Sequence, residues 1–261
     1  MNGQIMSSTA SQKAQQDLLE ATNDLIKSAR GGKTDEKVSK IIKLLTITKQ
    51  IKSIDGSSAN IHISTDLLKC LRLMLMDNDK SIRVQSCRAM RYITCSLSVL
   101  ETMVSLNIPI FMMIALEREQ NEFLWERMQS LKWIRHLMDH YPRHIPKCCI
   151  MSLIGIAQNG KDEFRRICLD SLRELCITNT RIISACNGFK VLIDSVLNPQ
   201  IKDISNSLVL TILYILDHPS TRKYLRPSLD IQRCAHTASP IVPISNFVLI
   251  RLLNPCTVCS D

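Results

Sequence analysis

The sequence predicts an all-α protein, a right-handed α-solenoid of armadillo- or HEAT-like helical repeats. Three observations predict it. The 261 residues are 45% hydrophobic but only 4% aromatic, with 7 Gly and 9 Pro, which suits helices rich in Leu, Ile and Met better than a sheet with many tight turns. From about Lys13 to Arg226 apolar residues recur at helical spacing, with no convincing period-two run. One helical motif also returns at roughly the 40–47-residue interval of armadillo and HEAT arrays.

In chain order, residues 1–12 are polar and are expected to be disordered. A short first helix from Lys13 leads to a linker, "ARGGKTDE" (29–36), and "KVSKIIKLLTITKQ" (37–50) reads as a degenerate first copy of the motif. The clearest copy is "SIRVQSCRAMRYI" (81–93). Projected at 100° per residue, Ile82, Ser86, Ala89, Met90 and Ile93 form one stripe, and Arg83, Arg88 and Arg91 lie on another arc. "WERMQSLKWIRHL" (125–137) aligns with it when Ser130 is set on Ser86 and Arg135 on Arg91. "FRRICLDSLRELC" (164–176) follows with Ser171 on Ser130; its stripe is Phe164, Cys168, Ser171, Leu172 and Leu175. "IKDISNSLVLTILYIL" (201–216) is a looser fourth copy. Breaks fall between copies, at Asp77-Asn78-Asp79, Asn107-Ile108-Pro109, Tyr141-Pro142, Asn159-Gly160, Asn187-Gly188, Asn198-Pro199 and His218-Pro219. A single helix pair cannot bury such a stripe alone, so the unit repeats and stacks, leaving an extended surface for macromolecular partners.

Charge and cysteine usage narrow the setting. The 33 Lys and Arg exceed the 24 Asp and Glu by 9, spread along the chain as a solvated surface would be. Of eleven cysteines, Cys70, Cys87, Cys95, Cys168 and Cys176 sit inside amphipathic patterns, where a thiol acts as a small hydrophobe. The start, "MNGQIMSSTASQKAQQ", has no apolar signal-peptide core, and "MVSLNIPIFMMIAL" is too short to span a bilayer. A reducing, cytoplasmic location is expected.

Little in the chain points to chemistry. His136, His140 and His144 are four apart, but Pro142 ends the helix before the third, and no zinc-protease motif surrounds them. "CTVC" (256–259) is half of a zinc set at most, and "GGKT" (31–34) lacks the first glycine and preceding strand of a phosphate loop. At Cys148-Cys149, core packing accounts for at least one thiol. We expect no enzyme, no cofactor and no metal. The candidate partner-binding residues are three basic rows, Arg83, Arg88 and Arg91, then Arg127, Lys132 and Arg135, then Arg165, Arg166 and Arg173, with Trp125 as an aromatic anchor. Trp125 and Trp133 alike read equally as protein-contact anchors or as fillers between helices.

Four segments, "KSIRVQSCRAMRYI", "ERMQSLKWIRHLM", "SLIGIAQNGKDEFRRICLDSLRELC" and above all "ILYILDHPSTRKYLRPSLDIQR" (212–233), resemble the N-terminal region of the rictor (pianissimo) family over residues 13–233. The resemblance implies an armadillo-like helical domain in a non-enzymatic scaffold subunit of target-of-rapamycin complex 2, which directs the kinase toward AGC-family kinases. Its implied partners are the target-of-rapamycin kinase and the other complex 2 subunits, with peripheral membrane association through the complex, no transmembrane segment and no nucleic acid. Residues 234–261 diverge from the family, resemble either the replacement tail of a truncated splice isoform or an unspliced or mispredicted exon, and are expected to be poorly ordered. The alternative reading is a basic helical-repeat module that binds nucleic acid or nuclear-transport cargo. Scarce aromatics and the lack of an Asn ladder weigh against it.

Overall fold

The structure, a computed structural model, describes residues 2–55, 61–119, 121–197 and 206–218, and among these every regular element is helical. The helices are α1 (Asn2–Ala29), α2 (Thr34–Asp55), α3 (Thr65–Met74), α4 (Lys80–Ile93), α5 (Leu97–Ser105), α6 (Ile108–Glu117), α7 (Leu124–His140), α8 (Lys147–Gln158), α9 (Arg165–Thr178), α10 (Thr180–Ala185), α11 (Gly188–Leu197) and α12 (Asn206–Asp217). Short 3-10 turns at Asn121–Phe123 and Pro142–His144 precede α7 and α8. The helices gather into two compact units that divide at Tyr141 and Pro142, one of the expected breaks.

In the first unit α2 packs on α4 and α4 on α7, in chain order; α1 covers α2 and α3, and α6 lies along α7. The stripe of α4 is buried as its spacing requires: Ile82, Ser86, Ala89, Met90 and Ile93 are all inside. Ser86 is tolerated there because its hydroxyl donates to the Ile82 carbonyl one turn back, at 2.8 Å. In the second unit α9 is central, touching α8, α10, α11 and α12. Its buried residues are Cys168, Leu169, Leu172, Leu175 and Cys176. Ser171, aligned with Ser130 in the sequence, is only half-buried, so the core stripe lies slightly to one side of the expected one.

Sequence punctuation sets the helix ends. Ser64, Asp79 and Ser96 accept bonds from backbone N–H groups at the starts of α3, α4 and α5, with Asp79 Oδ1 2.7 Å from Ser81 N. Asn107 and Asn187, between α5 and α6 and before α11, have φ of 58° and 61°, left-handed values that Asn tolerates better than most residues. The next residue, Gly188, is also constrained, since a Cβ there would lie 2.7 Å from Ile183 Cγ2. Asn107→Gly is expected to be neutral within a few tenths of a kcal/mol, whereas Asn107→Val costs about 1–2 kcal/mol in urea unfolding.

Three expectations are corrected. Helix α1 starts at Asn2 rather than after a disordered stretch of twelve residues, and it is long. No proline interrupts it, and extending a formed helix adds one hydrogen bond per residue without a new nucleus. The linker shrinks to residues 30–33, where Gly32 N donates to the Ser28 carbonyl at 2.7 Å, closing α1 rather than cradling phosphate. Cys95 lies in the turn after α4, not within a helix. No single helix among the described residues is long and apolar enough to cross a membrane. The cysteines of "CTVC", the Asn198-Pro199 break, most of the "LDHPSTRKYLR" box and the tail 234–261 lie outside the described residues.

Candidate functional site

The last carbonyls of each helix lack an intrahelical partner. Here side chains from other helices supply several. Arg127 Nε on α7 donates to Leu116 O at the end of α6 (2.9 Å), and Arg165 Nε on α9 donates to Ala157 O at the end of α8 (3.0 Å). Arg72 Nη1 on α3 donates to Leu106 O beyond α5 (3.1 Å), and His136 on α7 meets Thr94 O beyond α4 (2.8 Å). A cation suits the negative end of a helix.

This use of arginine divides the predicted basic rows. Arg127, only 3% exposed, is not available to a partner. Arg83 donates through Nε to the fully buried carboxylate of Glu126 at 2.8 Å and through Nη1 to Asp77 O and Asn78 O, at 2.9 and 2.7 Å. Arg83, Arg127 and Arg165 are therefore internal fasteners, a correction to the picture of nine partner-facing cations. The repeat alignment put Arg127 in a basic row, but α7 packs against both α4 and α6 and so buries more than one stripe. Arg173 is half-buried, its nearest carboxylates Asp170 and Glu174 each 3.8 Å away, and Arg166 is exposed. Lys132 is exposed, and Arg135 pairs with Asp139 at 2.9 Å. Trp125 is 55% exposed, as an anchor would be, whereas Trp133 is completely buried.

Arg88 and Arg91 have a different setting. The Arg91 guanidinium lies over the Tyr92 ring, 4.7 Å from its centre, and Nη2 donates to the Tyr92 hydroxyl at 3.0 Å. Lys49 of α2 approaches the same ring, Nζ 4.9 Å from the centre. Burial pushes the Tyr92 hydroxyl up, yet Arg91, Lys49 and Arg88 together bring it below its usual range. Lys52, one turn beyond Lys49, has its ammonium pushed down by burial, with the Cys95 and Tyr92 side chains opposing. Among the described residues no carboxylate lies within 4 Å of Lys49, Lys52, Arg88 or Arg91. The sequence reading missed Lys49 and Lys52. A signal was present: "KQIK" (49–52), "RAMR" (88–91) and "KWIR" (132–135) share one pattern, two cations around a third-position apolar residue. That residue, Ile51, Met90 or Ile134, is buried each time.

Two histidines lie beside this cluster. The rings of His136 and His140 are 4.3 Å apart, and among the described residues no group of three His, Cys, Asp or Glu could hold a metal ion. His144 lies beyond the Tyr141-Pro142 break, in the second unit. Because a carbonyl only accepts, His136 Nε2 carries the proton in the Thr94 contact. Burial depresses its basicity below the ordinary 6.5; the Thr94 bond opposes, and His140, Lys52 and Arg91 add to the depression. The folded state therefore prefers neutral His136, and this stabilising contribution, present above pH about 6.5, is lost as pH falls below it. Wild type is expected to lose stability relative to His136→Gln between about pH 7 and pH 5. Parallel denaturation curves over that range would contradict the depression.

Among the described residues, burial pushes six thiols, Cys70, Cys87, Cys95, Cys149, Cys176 and Cys186, away from the reactive thiolate. Burial raises Cys70 to about 11 and Cys87 to about 12, Glu126 adding to the rise at Cys87, and burial also raises Cys149 and Cys176.

A family model described as the N-terminal region of the rapamycin-insensitive companion of mTOR matches residues 38–242. The chain belongs to this rictor N-terminal family. Protein pianissimo A of Dictyostelium discoideum is 34% identical over 197 residues, covering 75% of this chain and 17% of pianissimo A. The human rapamycin-insensitive companion of mTOR is 28% identical over 198 residues, covering 74% of this chain and 12% of that protein. The target of rapamycin complex 2 subunit TSC11 of Saccharomyces cerevisiae is 22% identical over 198 residues, covering 76% of this chain and 14% of that subunit. The chain thus spans less than a fifth of the length of these rictor-family relatives. The match begins later than Lys13 and runs past Arg233, where the sequence resemblance was placed.

Proposed function

We propose that this chain is a component of target of rapamycin complex 2, acting as a non-enzymatic scaffold that binds the kinase and other subunits through a right-handed, armadillo-like α-solenoid surface. The observation that carries the reading is likeness over about three quarters of the chain to a protein named as a companion of mTOR and to one named as a target of rapamycin complex 2 subunit. Two features of the fold support it. In the first unit α2, α4 and α7 pack in chain order, as successive rungs do, and the helix ends are tied by side chains from other helices. A binding role also fits thiols that burial keeps protonated and cations that serve as fasteners. Its place is the cytoplasm, with membranes reached only through the assembled complex.

The test is affinity purification of the tagged chain from cells, comparing residues 1–233 with all 261. Co-purification of the kinase and other core subunits with both forms is the expected result. Their clean absence from both refutes the scaffold reading, and recovery with 1–233 alone assigns the block to the tail.

A further inference from the structure

We propose that the cationic cluster around Tyr92 binds a compact ligand carrying two or more closely spaced phosphate groups, either a small soluble polyphosphate or the phosphorylated headgroup of a membrane lipid. This goes beyond scaffolding and does not depend on it, since a chain that failed to join the kinase complex would still carry the site.

Four helices of the first unit carry the same pair of cations around a buried apolar residue: Lys49 and Lys52 on α2, Lys69 and Arg72 on α3, Arg88 and Arg91 on α4, Lys132 and Arg135 on α7. The α3 pair is engaged elsewhere, with Asp66 and the Leu106 carbonyl. In the second unit Arg173 begins the same pattern on α9, but Cys176 holds the last position, and "KYLR" (223–226), which completes it, lies outside the described residues. The α2 and α4 pairs meet at Tyr92, with Lys49 Nζ 4.9 Å and Arg91 Cζ 4.7 Å from its ring centre. Because the Tyr92 hydroxyl accepts from Arg91, its own proton is free to be donated outward. Like charges gathered without a carboxylate repel one another, and an arriving anion relieves that repulsion.

Charge density selects phosphate. A peptide advances about 3.3–3.6 Å per residue and carries at most one carboxylate per step, so several charges must stretch along it. Clustered phosphates place several charges, each with multiple acceptor oxygens, within the span of one aromatic ring. Guanidinium groups meet phosphate through paired N–H bonds, which arginine at two of the four positions provides.

The test titrates the full 261-residue chain with inorganic tripolyphosphate by calorimetry in about 150 mM salt, where long-range attraction is screened. In parallel, sedimentation uses phosphatidylcholine vesicles with and without phosphatidylinositol 4,5-bisphosphate. Lys49→Gln/Lys52→Gln and Arg88→Gln/Arg91→Gln are each expected to weaken binding about tenfold or more, and Tyr92→Phe, which keeps ring and cations, about threefold. Lys80→Gln/Arg181→Gln removes the same charge from exposed positions and is expected to change binding less than about twofold. Circular dichroism shows whether each variant is folded, and Tyr92→Phe carries the test if a double variant is not. Tripolyphosphate binding assigns a soluble ligand, and binding only to the phosphorylated vesicles assigns a headgroup. Failure of both probes, equal weakening by the control pair, or displacement by a phosphate-free polyglutamate peptide or by duplex DNA as readily as by tripolyphosphate overturns the proposal.

Discussion

Arg83→Met is expected to destabilise the chain by about 3–5 kcal/mol in urea unfolding, the range for a buried ion pair that loses one partner. Glu126 is fully buried, and its Oε2 has no hydrogen-bond partner among the described residues, so removal of Arg83 leaves the whole carboxylate uncompensated. The same change removes the two guanidinium bonds that tie Asp77 O and Asn78 O to the start of α4. Glu126→Leu should cost less, because Arg83 keeps those two carbonyls and some access to solvent. The double variant Arg83→Met/Glu126→Leu should recover much of the loss, since a well-packed apolar pair often matches a buried ion pair. Unfolding midpoints at constant m-value measure all three, and the cycle isolates the coupling. A loss below about 0.5 kcal/mol for Arg83→Met, the range of ordinary surface substitutions, would mean that the pair does not lock α4 to α7.

Arg83 also marks where the sequence stops being legible. The helical class, the breaks among the described residues and the α4 stripe follow from spacing and punctuation, which act over a few residues and need no knowledge of neighbours. Burial of Ile82 and Met90 was readable because an apolar stripe has to be covered by something. The fate of an arginine is different. Arg83, Arg88 and Arg91 share one arc of α4, yet the first faces a buried carboxylate and the last a tyrosine ring. That distinction depends on what α7 and α2 present, which no projection of α4 contains. The third copy buries Phe164, Cys168, Leu172 and Leu175 as expected and departs only at Ser171, for a related reason. Matching Ser171 to Ser130 satisfied residue identity, but α9 is surrounded by four helices and buries Leu169 and Cys176 as well. Lys49 and Lys52 were hidden because the degenerate copy read on α2, residues 37–50, stops before Ile51 and Lys52 complete the pattern.

Trp133→Ala is expected to cost a further about 3–5 kcal/mol, the usual range for emptying a buried Trp site, and it tests whether Thr94 is the joint between α4 and α7. Trp133 is completely buried, and its Nε1 donates to Thr94 Oγ1 at 3.1 Å, while His136 takes the Thr94 carbonyl at 2.8 Å. Thr94 Oγ1 in turn reaches the Met90 carbonyl at 2.6 Å, so one residue at the end of α4 is held by its own helix and by two side chains of α7. Trp133→Phe keeps most of the ring and loses the indole bond, for about 1–2 kcal/mol, and Trp125→Phe at an exposed position should stay within about 0.5 kcal/mol. With only 2 tryptophans in the chain, fluorescence separates the sites. Trp125→Phe should leave the blue emission of the buried ring and Trp133→Phe the redder emission of the exposed one. Should Trp125→Phe destabilise as much as Trp133→Phe, or the two emission spectra coincide, the joint at Thr94 would not be the contact that holds α7 in place.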